Sequence, residues 1–174
     1  MRAMNSFSQA ILLLGLIVGP FVSIVSAEPA IKDEWFTTND GVKLHYLEAG
    51  TGSTLVMIPG WSQSAMEFKH QLAGLSDKYH VYAVDMRGHG DSEKPDHGYC
   101  IQRLSEDVHE FLVAKDLSGV TMAGHSMGCS VICGYWEQYG GDRLSKLFLV
   151  DQMANDHRQS RVVGKGTRER RRHL

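Results

Sequence analysis

The chain has 174 residues, 43% of them hydrophobic and 22% charged, with a formal net charge of -2. This composition suits one globular domain with a core, and it excludes an extended disordered chain or a coiled coil as the main body. The lack of a broad basic field argues against nucleic acid as a partner, and small neutral substrates fit better.

Arg2 precedes an apolar run from Ala10 to Val25, and Val25-Ser26-Ala27 places small residues where a signal peptidase cuts. Residues 1–27 are therefore expected to be a signal peptide and the protein to be secreted. A bilayer crossing needs about 20 apolar residues; this run is shorter and interrupted by Gly15, Gly19 and Pro20. No stable membrane span is expected, with an uncleaved leader holding the chain at a membrane as the alternative.

Residues 28–160 read as an α/β unit. Trp35 to Thr38 and Val42 to Glu48 flank Asn39-Asp40-Gly41, which predicts a β-hairpin whose Asp-Gly pair supplies the positive φ angles of a tight turn. The continuous apolar run Leu55 to Ile58 predicts a strand covered on both faces, ending at Pro59-Gly60. Phe68, Leu72 and Leu75 form one stripe of a helix beginning near Ser64, and Val81 to Val84 is the next strand. A polar loop from Met86 to Gly98 leads to a helix carrying Ile101, Leu104, Val108, Phe111 and Leu112 on one side. Val120 to Ala123, Met127 to Tyr139 and Leu147 to Val150 then read as strand, helix, strand. Strands alternating with helices imply right-handed parallel crossovers, hence a doubly wound, mostly parallel sheet with helices on both faces.

Cys100, Cys129 and Cys133 make an odd count without metal-type spacing, so neither a disulfide framework nor a zinc site is expected. Cys129 and Cys133, four apart on one predicted helix, read as small apolar residues of a buried face. From Arg161 to Leu174 apolar residues almost vanish and Arg168, Arg170, Arg171 and Arg172 accumulate. Such a segment cannot supply a strand or an amphipathic helix and reads as a basic disordered tail, with a foreign end, from a shifted frame or a passed exon boundary, as its expected origin.

The residues that carry chemistry lie at the bends. Gly124-His125-Ser126-Met127-Gly128 falls directly between a predicted strand and a predicted helix. A serine on that strained turn has its hydroxyl lifted above the sheet, and only glycines on either side let the neighbouring backbone pass. The Met127 amide and the helix dipole then favour a developing oxyanion.

With Ile58-Pro59-Gly60-Trp61 after one strand, Asp85-Met86-Arg87-Gly88-His89-Gly90-Asp91-Ser92 after the next, and the serine turn after a third, the chain resembles the α/β-hydrolase superfamily, in its esterase, haloperoxidase-like and epoxide-hydrolase-like branch. The match runs from about Trp35 to Asp151. The resemblance implies a serine hydrolase acting on ester-like small molecules without a cofactor, with Ser126 as nucleophile and the Trp61 amide as the second oxyanion donor. In place of the family's usual His, Pro59 precedes the glycine. The resemblance gives the Asp85–Ser92 loop a mainly structural role. It also implies an acid and a histidine further along: Asp151 matches the place where some members carry the acid, and in others the residue there only shapes the pocket. The expected histidine segment does not follow within this sequence, so the chain is read as the N-terminal part of the domain, inactive as it stands. No metal-binding or phosphate-loop motif is present in the sequence.

Overall fold

A computed structural model describes residues 30–151. The expected signal peptide (1–27), the basic tail (161–174), His157 and His173 lie outside the described residues. The elements are β1 (Lys32–Thr37), β2 (Lys43–Ala49), β3 (Ser53–Ile58), a 3₁₀ turn (Ala65–Phe68), α1 (Lys69–Leu75), β4 (Tyr79–Val84), α2 (Ile101–Ala114), β5 (Val120–His125), α3 (Met127–Tyr139) and β6 (Leu144–Val150). The strands form one sheet in the order β1-β2-β4-β3-β5-β6. β2 is antiparallel to β1 and β4, while β3, β4, β5 and β6 run parallel.

Because strand side chains alternate between faces, each strand feeds two cores. Val56, Ile58, Tyr82 and Val84 pack against Val108 and Phe111 of α2 and Val131 and Tyr135 of α3. Leu55, Met57, Val81 and Ala83 face the other way, onto Ala65 and Leu72. The two-sided burial predicted for Leu55 to Ile58 is what this requires, whereas the edge strand β6 is exposed, with Phe148 and Val150 more than half accessible.

Two local expectations need correction. The hairpin connection is a five-residue loop from Thr38 to Val42 rather than a two-residue turn: Thr38 donates to the Val42 carbonyl (2.9 Å), and of the Asp-Gly pair only Gly41 has a positive φ, at 85°. Asp40 is otherwise engaged, since its carboxylate receives two hydrogen bonds from the Arg87 guanidinium, at 2.9 and 3.0 Å. The helix expected from Ser64 starts as a 3₁₀ turn, and Ser64 makes no side-chain cap bond. The Ala65 amide is drawn instead to the buried Asp85 carboxylate (2.5 Å), and only after Phe68 does the chain relax into α1. Among the described residues all three cysteines are free thiols; Cys129 is buried, Cys133 half-buried and Cys100 exposed.

Candidate active site

β3 has β4 on one side and β5 on the other, so the chain reverses its direction of winding between β3 and β5. A crevice opens beyond the carboxyl ends of strands at such a point, and ligands of open α/β sheets bind there. The segments after β3 and β5 are Pro59-Gly60-Trp61 and Ser126-Met127, and the sheet brings these two together.

Ser126 joins β5 to α3 with φ 50° and ψ −113°, a conformation that a residue with a Cβ rarely adopts. Its amide donates to the Val150 carbonyl of β6 (2.9 Å), and its own carbonyl accepts from Cys129 (3.0 Å). It occupies the cap position of α3, yet its side chain makes no cap bond, which leaves the half-buried hydroxyl uncommitted to the helix. The two flanking glycines are needed for space: a Cβ on Gly128 would meet the Ile58 carbonyl oxygen, and one on Gly124 would lie 2.6 Å from the Gly128 carbonyl carbon. Met127 is the first residue of α3, where an amide has no partner within the helix.

Opposite lies the loop after β3. A Cβ on Gly60 would sit 3.4 Å from the Ser126 Cβ and 3.2 Å from His125 Nδ1, which measures how closely the loop and the bend approach. The Gly60 carbonyl accepts from Gln63 (3.2 Å), closing a turn in which Ser62 takes φ 62°. The Trp61 indole is 67% exposed and stands edge-on to His89 at 5.2 Å, so the ring does not fill the core, and the amide and the ring are separate resources.

The loop after β4 is a scaffold, as the resemblance implied. Asp85 accepts from Ala65, Asp91 and the His45 ring. Arg87 is fully buried, forked onto Asp107 (two contacts at 2.8 Å) and Asp40. The Arg87 hydrogen bond holds the Asp40 carboxyl well below the usual carboxylate range. His45, Asp85 and Asp91 cluster closely enough to suggest a cation site. Both ring nitrogens of His45 are already taken up, by Asp85 at 2.8 Å and Asp33 at 3.0 Å, so the cluster reads as a tie between β2 and the β4 loop.

Asp151 follows β6 with φ 57° and an exposed side chain, whose carboxylate lies 3.8 Å from His125 Nε2. Glu67 is the residue that the sequence did not single out. It sits on the 3₁₀ turn, accepts from the Gly60 amide (3.2 Å) and faces His125 Nδ1 at 2.5 Å. Its only sequence signal is a carboxylate one turn beyond the Gly60-Trp61 bend. Glu67, His125, Gln71 and Val150 line a cavity of about 210 Å³.

Residues 53–165 match the profile of the alpha/beta hydrolase fold. The chain belongs to the α/β hydrolase family. Within that family it is similar to the soluble epoxide hydrolase of a Corynebacterium species, 35% identical over 114 residues that make up 66% of this chain and 40% of the relative. It is also similar to a non-heme chloroperoxidase of Kitasatospora aureofaciens, 35% identical over 66% of this chain and 42% of the relative. Among solved structures, an esterase from Exiguobacterium antarcticum superposes with a TM-score of 0.68 at 31% identity, covering 71% of this chain and 46% of that one. This α/β hydrolase chain thus spans about two fifths of the length of the curated relatives it matches.

Proposed function

We propose that the chain carries the nucleophile-bearing part of a secreted serine hydrolase acting on esters or related acyl compounds through a Ser126 acyl-enzyme. The observation that carries the reading is the Ser126 backbone: a residue with a side chain, held at φ 50° on the joint between β5 and α3 and facing the Gly60-Trp61 loop at the winding reversal. Backbone strain of this kind persists only where surrounding structure enforces it. Attack by Ser126 Oγ on an acyl carbon would place the oxyanion between the Met127 amide, at the positive end of α3, and the Trp61 amide. The hydroxyl proton would pass to a base as the acyl–oxygen bond forms, and the leaving alcohol would take it up. The esterase among the similar solved structures supports an acyl-directed site of this class.

A second reading is favoured by one observation. His45, His80, His89, His109 and His125 direct their polar contacts to Asp85, Glu48, the Arg87 carbonyl, Asp142 and Glu67, so none of these five serves the Ser126 hydroxyl. In that reading the chain is a non-catalytic module on a partial hydrolase fold.

A fluorophosphonate probe separates the two. On the serine hydrolase reading it labels Ser126 of the full-length protein, which carries the base, and labelling and turnover of a small ester are both lost there in Ser126→Ala. Labelling that survives this substitution removes Ser126 from its role. Cooperative melting without labelling or turnover supports the module.

A further inference from the structure

The Glu67 carboxylate stands between the two segments that frame Ser126. One oxygen, Oε2, accepts the Gly60 amide at 3.2 Å, on the loop after β3. The other, Oε1, lies 2.5 Å from His125 Nδ1, on the bend after β5. That second contact is close but off the line of a hydrogen bond, which leaves His125 Nδ1 buried and without a hydrogen-bond partner. The acid's own backbone is fixed: the Glu67 amide donates to the Ser64 carbonyl (2.9 Å), and the adjoining Ala65 amide is held by the buried Asp85. Asp85 is itself tied to His45 and to the Asp91 amide. A rigid scaffold therefore delivers one carboxylate to the ends of two loops.

The consequence falls on the Gly60-Trp61 peptide. Its carbonyl is turned toward Gln63, whose amide it accepts. A trans peptide is planar with its C=O and N–H opposed, so the Trp61 N–H must point away from Gln63. Glu67 fixes the preceding amide, and with both ends held the plane has little freedom to rotate. On the far side, the Gly60 α-carbon packs against His125 and Ser126 so tightly that a Cβ would lie 3.2 and 3.4 Å from them.

We propose that Glu67 is a positioning residue: its carboxylate clamps the Gly60-Trp61 peptide against the His125-Ser126 bend and so orients the Trp61 amide as an oxyanion donor. The catalytic part of this inference rests on the serine hydrolase reading above; the clamp itself does not. In this role Glu67 acts through the peptide it holds.

The test compares the full chain with Glu67→Gln, which keeps an acceptor oxygen, and Glu67→Met, which keeps the length and removes the acceptor. Amide hydrogen exchange followed by NMR reads the clamp whether or not Ser126 reacts. Gly60 exchange is expected to rise about tenfold or more in Glu67→Met and to stay within about threefold of the parent in Glu67→Gln, as a single lost hydrogen bond implies. Val56 and Met57, inside β3, report whether the sheet itself has loosened. A Gly60 amide that exchanges freely in the parent overturns the clamp. So does exchange that is equal in parent and Glu67→Met, or Glu67→Gln behaving as Glu67→Met. Where Glu67→Met loses Val56 and Met57 protection as well, the Glu67→Gln result decides. The positioning role has its own readout in fluorophosphonate labelling. Glu67→Met is expected to lower the maximal labelling rate of Ser126 about tenfold or more, with the half-saturating probe concentration unchanged and Glu67→Gln near the parent. Equal maximal rates overturn the role. Labelling is read in the full-length protein, and its failure there at Ser126 overturns the serine hydrolase reading and with it the catalytic role, while the exchange result on the clamp stands separately.

Discussion

Replacing Ser126 with glycine should make the protein more stable, and replacing it with alanine should not. The joint holds φ at 50° and ψ at −113°, and a residue with a Cβ in such a region costs about 1–3 kcal/mol. Alanine keeps the Cβ and therefore the strain. Glycine removes it, at the expense of about 0.5–1 kcal/mol through greater freedom of its unfolded chain. The half-buried serine side chain makes no cap bond, so little else is lost with it. The net expectation is that Ser126→Gly exceeds Ser126→Ala by about 1–2 kcal/mol, a difference that urea unfolding with linear extrapolation resolves. In thermal unfolding it corresponds to a rise of roughly 3–8 °C for a domain of this size. Both variants should be inert to the serine probe. A glycine variant no more stable than the alanine variant would refute the argument that the bend is strained, and with it the observation on which the functional reading leans.

Further outcomes follow from particular contacts. Gly128→Ala forces a Cβ onto the Ile58 carbonyl, backbone against backbone, and should cost about 2–3 kcal/mol in urea unfolding; Gly74→Ala in α1, where nothing lies within 4 Å of the added Cβ, should gain about 0.5–1 kcal/mol. Asp107→Ala leaves the fully buried Arg87 short of its main carboxylate and should cost about 3–5 kcal/mol. Asp40, whose carboxyl Arg87 holds below the ordinary range, adds stability that is present above the usual carboxylate value and is lost as pH falls below it, so Asp40→Asn should flatten the acid limb of the stability profile. Burial pushes the phenols of Tyr82 and Tyr135 up to about 12 from an ordinary value of 10.0. The folded state then holds their protons more tightly than the unfolded one, and stability should fall as pH rises from 10 toward 12, less steeply in Tyr82→Phe.

The order and faces of the elements were legible because they depend on local patterns: the continuous apolar run at Leu55 to Ile58 requires cover on both sides, and the stripe through Leu104, Val108 and Phe111 requires a helix. The Met127–Tyr139 helix was predicted to its ends, since the glycine-flanked bend fixes its start. What escaped depends on side chains far apart in sequence. Asp40 looked like half of a tight turn, but Arg87, 47 residues on, claims its carboxylate. Ser64 looked like a helix start, but Asp85, 20 residues beyond Ala65, pulls the first turn into a 3₁₀ form. Glu67 stood out in no motif, because its importance comes from the Gly60 amide and the His125 ring, which only the parallel pairing of β3 and β5 brings near.

Backbone strain marks the same place independently of any motif. Five non-glycine residues among those described have positive φ: Ser62, Asp116, Ser126, Arg143 and Asp151. Asp116 and Arg143 lie just before β5 and β6, at the end of the sheet where connections only have to turn. Ser62, Ser126 and Asp151 follow β3, β5 and β6, at the carboxyl end, around the winding reversal where α/β sheets bind ligands. A turn of this kind without a functional demand could use glycine and avoid the steric cost of a Cβ at positive φ. Three side chains kept in a costly conformation at one end of three neighbouring strands are therefore best explained by what those side chains and their amides do in the crevice. Ser62→Gly tests the weakest member: if Ser62 serves only the turn, the variant should gain about 0.5–1 kcal/mol with Ser126 labelling unchanged. A gain in stability coupled to slower labelling would instead place the Ser62 side chain in the site with Trp61 and Ser126.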